Sequence, residues 1–319
     1  MRTPSDTLRL RQAHSTDRAA LVQLLHRTWE RTFAPQLPHG ASQRYFADAV
    51  AERYVDEEWP RFVVAERQGD LVGFADADEA LIASLHVDPA VWGLGIGRRL
   101  LDECERRIAA GGHRVARLQV EAFNTRAFKF YCKAGYVEID RRPDEEFDSG
   151  GLSVFMAKPL RSGDEQVRQY RPQDRAACLA LFESNVPEYF AEAERADFID
   201  QLDNLEGPYL VVGNGGAVVA CGGFQADRKD PSIAALCWGM VRRDLHGSRL
   251  GEALLVARLD LIATNPAFES VVIETTPMSR GFFERYGFVA GRVVADGFVP
   301  GYDLVEMTLR LDRLRAGRR

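Results

Sequence analysis

The sequence predicts an α/β fold of the mixed-sheet, α+β kind, built twice in tandem, each half a twisted and mostly antiparallel sheet flanked by helices. Three observations lead there. A chain of 319 residues is long enough for about two domains, its 46% apolar and 28% charged residues are ordinary globular values, and it repeats itself. The helix-start pattern Asp17-Arg18-Ala19-Ala20-Leu21 returns as Asp174-Arg175-Ala176-Ala177-Cys178. A glycine-bearing loop ending at Gly97 returns ending at Gly251, and the pair Gly135-Tyr136 returns as Gly287-Phe288. Landmarks that keep their order and nearly constant separation indicate one domain duplicated.

The join is expected where small, polar and charged residues crowd between apolar elements, over 159–166, which sets domains at 1–162 and 163–319. Within each half, Asp17 and Asp174 read as N-caps of a first helix. A second, less regular helical stretch follows. Residues 62–66 and 71–75 flank the turn Gln68-Gly69-Asp70 and read as an antiparallel hairpin, matched later by 209–213 and 217–222 about Asn214-Gly215-Gly216. Strands at 81–87 and 236–241 lead into the glycine loops. The helices beyond carry apolar stripes at Leu100, Leu101, Cys104 and Ile108, and at Leu254, Leu255, Leu259 and Ile262. Strands at 115–122 and 270–275 come next. In the first of them Leu118, Val120 and Ala122 share one face, and Arg117, Gln119 and Glu121 the other. A short helix and one last strand, opened by the Gly-aromatic pair, close each half. Residues 310–319 read as a basic helix end or tail.

Composition excludes several classes. The formal charge of -6 does not advertise a phosphate-backbone partner, so no nucleic acid is expected. No apolar run approaches the length of a membrane span, and residues 1–11 hold no apolar signal-peptide core, so the chain reads as cytoplasmic with no membrane partner. Cys104, Cys132, Cys178, Cys221 and Cys237 are odd in number, with no CxxC pair and no His at ligand spacing. That pattern fits buried small hydrophobes better than a disulfide framework or a metal site.

The stretch from Leu85 to Leu101 is a strand, a turn, the alternate glycines Gly93, Gly95 and Gly97, and a helix start. Glycines let backbone approach a ligand closely, and the free N–H groups of a helix's first turn suit an anion such as pyrophosphate. A P-loop would need Gly-Lys-Ser/Thr, but Arg98-Arg99 follow Gly97. A dinucleotide fingerprint would need Gly-x-Gly-x-x-Gly after an early strand.

With the downstream Asn124-Thr125-Arg126-Ala127-Phe128-Lys129-Phe130-Tyr131-Cys132-Lys133-Ala134-Gly135-Tyr136, the ordered combination resembles the GNAT superfamily of acyl-CoA-dependent N-acyltransferases. The resemblance covers most of residues 8–160 and returns more faintly over 167–311. It implies two tandem GNAT-like domains and acetyl-CoA as cofactor. Backbone N–H groups of Gly93, Leu94, Gly95, Ile96, Gly97 and Arg98 would hold the CoA pyrophosphate. Leu85, His86 and Val87 would hydrogen-bond the pantetheine arm and polarise the thioester carbonyl, Asn124 would contact the arm, and Tyr131 would donate a proton to the departing thiolate. Trp92 stands where the family has Arg or Gln, which leaves Arg98 or Arg99 to supply charge. Glu79, His86 and Glu121 are candidates for the general base by strand proximity, beside proton loss through water.

The second copy offers Met240, Val241, His246, Gly247, Ser248, Arg249, Leu250 and Gly251 as a further cofactor site. His246 stands at the Arg/Gln position, and Arg249 replaces the middle glycine, where an ordinary backbone conformation is expected. Phe283 aligns with Tyr131 and cannot donate a proton, Thr276 aligns with Asn124, and Tyr286 lies elsewhere on its helix. Loss of chemistry in this copy is the expectation; use of another acid and its own substrate stays open. Tyr189, Phe190, Trp238, Phe282 and Phe283 read as core. The resemblance implies an N-acetyltransferase acting mainly through the N-terminal domain by direct attack of a primary amine, with the acidic total charge slightly favouring a cationic acceptor. A small amine, a polyamine, an amino acid and a peptide N-terminus all remain, as does a homo-oligomer. The alternative is a non-catalytic acyl-CoA sensor or protein-interaction module.

Overall fold

Alternating apolar residues and tight turns build the N-terminal half on one seven-stranded sheet, ordered β1-β2-β3-β4-β5-β7-β6. Its strands are β1 (Arg9–Gln12), β2 (Val63–Arg67), β3 (Asp70–Asp78), β4 (Leu81–Val87), β5 (Val115–Glu121), β6 (Val137–Pro143) and β7 (Leu152–Pro159). Its helices are α1 (Arg18–Thr28), α2 (His39–Ala47), α3 (Val50–Glu58), α4 (Ile96–Ala110) and α5 (Thr125–Ala134). The structure, a computed structural model, describes residues 8–144, 150–160, 166–214 and 216–312. The chain divides into two units, residues 1–161 and 162–319.

Gln68 (φ 56°) and Gly69 (φ 93°) are both left-handed, as a two-residue turn with the hairpin twist requires. The α4 stripe of Leu100, Leu101, Cys104 and Ile108 is buried with Ile82, Leu118 and Val120. On the opposite face, Leu21, Leu24 and Leu25 of α1 pack with Phe62, Val64 and Phe74. Each buried leucine contributes about 2 kcal/mol. Gly135 (φ 96°) ends α5 in the left-handed conformation, and the Tyr136 N–H returns to the Tyr131 carbonyl at 3.0 Å. The Gly-aromatic landmark is therefore a helix stop whose aromatic ring is buried.

The C-terminal half has the same strand order: β8 (Gln166–Gln169), β9 (Tyr209–Asn214), β10 (Ala217–Ala226), β11 (Ile233–Val241), β12 (Ser270–Thr275), then β14 (Tyr302–Arg310) inside β13 (Val289–Val299). Its helices are α6 (Arg175–Asn185), α7 (Arg195–Asp203), α8 (Leu250–Thr264) and α9 (Pro277–Glu284). The predicted stripe of Leu254, Leu255, Leu259 and Ile262 is buried. The same helix also buries Arg258, in the position of Cys104. Gly222 and Gly239 leave room for its guanidinium, since a Cβ on Gly239 would lie 3.0 Å from it.

Several expectations change. Asp17 precedes α1, but its carboxylate does not cap that helix. It accepts the His14 N–H at 2.8 Å and a two-point Arg11 contact at 2.7 and 2.9 Å. Asp174 does the same with the Arg171 N–H and Arg168. The duplicated Asp is thus anchored to the preceding strand, β1 or β8. Those four-residue, Arg-bearing strands hold one apolar residue each, Leu10 and Val167. Each half ends in two strands rather than one, because the last strand inserts beside β5 or β12 and pushes its predecessor to the edge. Arg310 closes β14 instead of starting a tail; residues 313–319, like 161–165 at the expected join, lie outside the described ones. Among the described residues no helix is long and apolar enough to cross a membrane, and no group of three His, Cys, Asp or Glu is placed to hold a metal ion.

Candidate active site

The site begins with a gap in the N-terminal sheet. β4 and β5 run parallel and pair at Leu81 with Arg117, after which they part and leave one edge of β4 without a strand partner. The gap opens a cavity of about 1160 Å³ that passes between the two faces of the sheet. On the α4 face it is lined by the glycine loop, Asn124, Phe130 and Tyr131. On the α1 face it is lined by Thr28, Trp29, Tyr45, Tyr54, Ser84 and His86.

Gly93 (φ 87°) and Gly95 (φ 78°) turn the loop so that α4 starts at Ile96. The first intrahelical bond runs from the Arg99 N–H to the Gly95 carbonyl at 3.2 Å, which leaves the amides of Ile96, Gly97 and Arg98 without helical acceptors. Those amides and the helix dipole make an anion cradle. Arg98 pairs with Asp102 at 2.8 Å, and Arg99 turns away to the Leu8 carbonyl at 3.0 Å. Arg99 therefore does not supply charge to the loop. Arg126 does: its guanidinium lies 3.5 Å from the centre of the Trp92 ring, with no carboxylate partner among the described residues. The Trp92 indole N–H donates to the Val87 carbonyl at 2.8 Å, so that carbonyl is already engaged. Asn124 uses its side-chain oxygen to cap α5 through the Ala127 N–H at 3.2 Å. Tyr131 is buried among the α4-face residues, with its ring against Phe130 and Tyr136. Burial, with smaller effects from Cys104 and Glu121, pushes its phenol well above the ordinary range.

The three base candidates separate. Glu79 is exposed in the β3–β4 turn and does not line the cavity, so the structure does not bring it to the site. Glu121 is 7% exposed and lines it. Strand alternation puts its side chain opposite the buried Val120. His86 stacks on Phe74 and shares a 2.9 Å hydrogen bond with Thr28 through Nδ1. The Thr28 hydroxyl donates to the Leu25 carbonyl at 3.0 Å, so His86 Nδ1–H must donate to Thr28, leaving Nε2 as an acceptor. Burial pushes the His86 pKa down to about 4. A histidine held neutral in the fold but titrating near its ordinary value when unfolded binds fewer protons folded than unfolded between these values. Stability is therefore lost as pH falls from about 6.5 to about 4, by on the order of 2 kcal/mol. In His86→Gln, the drop in urea midpoint between pH 7 and pH 4.5 is expected to shrink; an unchanged drop would refute this.

Residues that the sequence reading missed gather on the α1 face. A π turn over Trp29–Phe33 closes with the Ala34 N–H on the Trp29 carbonyl at 3.0 Å. Trp29 stacks on Tyr45 at 3.9 Å and on Phe33 at 5.4 Å. Tyr54 bonds Ser84 at 2.8 Å and donates to Asp76 at 2.9 Å, and Arg61 clamps Asp76 at 3.0 and 2.8 Å. Arg126 stands in the quoted motif, but its partner Trp92 is distant in sequence. The aromatic stack needs a π turn that helical periodicity does not signal.

The second copy keeps the loop and changes the rest. Gly247 (φ 85°) and Arg249 (φ 66°) reproduce the conformations of Gly93 and Gly95, so Arg249 is left-handed, contrary to expectation. The loop's fold and its exposed position hold the residue there against its own preference. Arg249→Gly is expected to raise the unfolding free energy of this half by about 1 kcal/mol, read from denaturant unfolding; a loss of stability would contradict it. His246 copies the Trp92 contact through Nε2 to the Val241 carbonyl at 3.0 Å, which Asn185 also engages at 2.9 Å. Phe283 occupies the Tyr131 position, buried against Phe282 and Phe288. Trp238 lies within a β11 irregularity, whereas Ser84 flanks one in β4. Trp238 is itself left-handed (φ 46°), and its ring packs with Phe182, Phe190 and Phe198.

The Acetyltransferase (GNAT) family model matches residues 20–136 and again 178–288. An IAA acetyltransferase of Azospirillum brasilense is 32% identical over 106 residues, which is 31% of this chain and 68% of that protein. A mycothiol acetyltransferase of Sanguibacter keddieii is 36% identical over 118 residues, 33% of this chain and 37% of its own length. Among solved structures, a PaiA N-acetyltransferase from Thermoplasma acidophilum in complex with coenzyme A is 21% identical, covering 48% of this chain and 99% of that one, with a TM-score of 0.41. A GCN5-related N-acetyltransferase from Rhodopseudomonas palustris is 23% identical over 50% of this chain and 99% of that one, also with a TM-score of 0.41.

Proposed function

The chain belongs to the Acetyltransferase (GNAT) family, and from that premise we propose that its N-terminal half transfers an acetyl group from acetyl-CoA to a primary amine by direct attack. The observation that carries this reading is a cavity that runs from an amide cradle, past a buried tyrosine, through the gap between β4 and β5 to the opposite face. The residues fit the donor: the amides of Ile96, Gly97 and Arg98 would hold the diphosphate, and the open edge of β4 the pantetheine arm. The amine would enter from the α1 face. Its nitrogen bonds to the thioester carbon and the carbon–sulfur bond breaks. Glu121 takes the proton leaving nitrogen, and Tyr131 gives one to sulfur. The two transfers balance, and solvent in the cleft resets both groups. His86, neutral with Nε2 free to accept, orients the amine by hydrogen bonding.

The second half, with Phe283 for Tyr131 and Trp238 for Ser84, is read as having lost chemistry. Calorimetric titration with CoA and a thiol-release assay over a panel of amines test the proposal. Binding at one site per chain with turnover is expected. Binding without turnover on any amine would favour a sensor, and no binding would overturn both readings.

Arg126 stands in for the Arg or Gln missing at Trp92. One lost charge-assisted phosphate contact is worth about tenfold in affinity. Arg126→Ala is therefore expected to raise KM for acetyl-CoA by about that factor and to leave acetyl-pantetheine, which lacks the diphosphate, unchanged. Equal effects on both donors would remove Arg126 from phosphate binding.

A further inference from the structure

We propose that the acceptor is a monoamine carried on an apolar, ring-sized body, and that polyamines and aminoglycoside-like polycations are excluded. The inference rests on the acetyl-transfer reading and deepens it. None of the cavity-lining residues between 25 and 87, which make up the α1 face and β4, carries a formal charge. Trp29, Phe33 and Tyr45 instead present three nearly parallel rings, with interplanar angles of 9° and 5°, and Leu25 and Val50 continue the apolar wall.

Two carboxylates near this wall are already committed. Asp76 is fully buried behind Tyr54 and Ser84 and clamped by Arg61, and Glu52 faces His26 at 3.7 Å. Glu121 is the single acidic residue lining the cavity. One ammonium can be matched by one carboxylate. Every further ammonium would be desolvated without a partner. An apolar body gains by leaving water for the rings. The chain's net charge of -6 points the other way, but steering by the total charge acts before entry, whereas the lining decides what stays.

The test uses the full chain saturated with CoA, so that no turnover is needed, and titrates 2-phenylethylamine and spermidine separately by calorimetry. 2-Phenylethylamine is expected to bind at least about tenfold more tightly. Tyr45→Ala should weaken it by a similar factor without changing CoA affinity. Because that ring is buried and its loss could unfold the domain, Val50→Glu serves as a second variant at a site 37% exposed; it should bring spermidine binding up. Equal binding, tighter spermidine binding, or no binding of either amine to the CoA-loaded chain would overturn the proposal. Absence of CoA binding would instead overturn the reading beneath it, and the proposal with it.

Discussion

Tyr131→Phe is expected to lower kcat by about 100- to 1000-fold while the affinity for acetyl-CoA stays unchanged. The substitution removes one oxygen and keeps the ring that packs on Phe130 and Tyr136, so the core and the amide cradle on α4 are preserved. What is lost, on the proposed mechanism, is the proton for the departing sulfur. The ordinary liability of a phenol, partial ionisation at alkaline pH, does not apply, since burial holds this one protonated throughout the working range. In the second half Phe283, which has no hydroxyl, stands at the corresponding position. Thiol release measured at saturating acetyl-CoA, beside calorimetric CoA binding, reads the two quantities separately. A variant with wild-type kcat would show that sulfur leaves as the thiolate, or takes its proton from water.

Replacing the carboxylate across the cleft changes a different limb of the reaction. Glu121→Gln is expected to lower kcat by about 100-fold at pH 7, and the residual rate should climb with pH until the amine reaches its own pKa. An amine must lose a proton as it bonds to the thioester carbon. With the carboxylate gone, the remaining route is prior ionisation in solvent, and the fraction of neutral amine then sets the rate. Glutamine retains the shape and one acceptor oxygen on β5, so substrate binding should fall less than turnover. A pH–rate profile parallel to that of the wild type would assign the proton to another acceptor. His86 is poorly suited to that part, because burial disfavours the protonated imidazolium it would have to become.

The duplication, the order of the elements and the glycine loop were legible because each depends on local chemistry. A left-handed residue at a helix start or stop selects glycine, hence Gly93, Gly95 and Gly135. An amphipathic stripe repeats every three or four residues whatever lies across from it, so α4 and α8 could be placed from their leucines. The glycine-loop end of the cleft is built mostly from such signals, so the residues that line it could be placed from the letters.

The acceptor end could not. Glu79 and Glu121 look alike as carboxylates next to strands, and only the parting of β4 from β5 separates a turn residue from a cleft residue. Arg126 gains its meaning from Trp92, and Tyr54 from Asp76 and Ser84, through contacts between distant segments. Arg249 and Trp238 take left-handed conformations that their residue types disfavour, because the surrounding chain path holds them there. Local propensity is written residue by residue, while pairing, register and the filling of a gap between strands are properties of the packed whole. That is why the protein's family and its glycine loop could be read early, while the lining of the cleft's far end was decided by the fold.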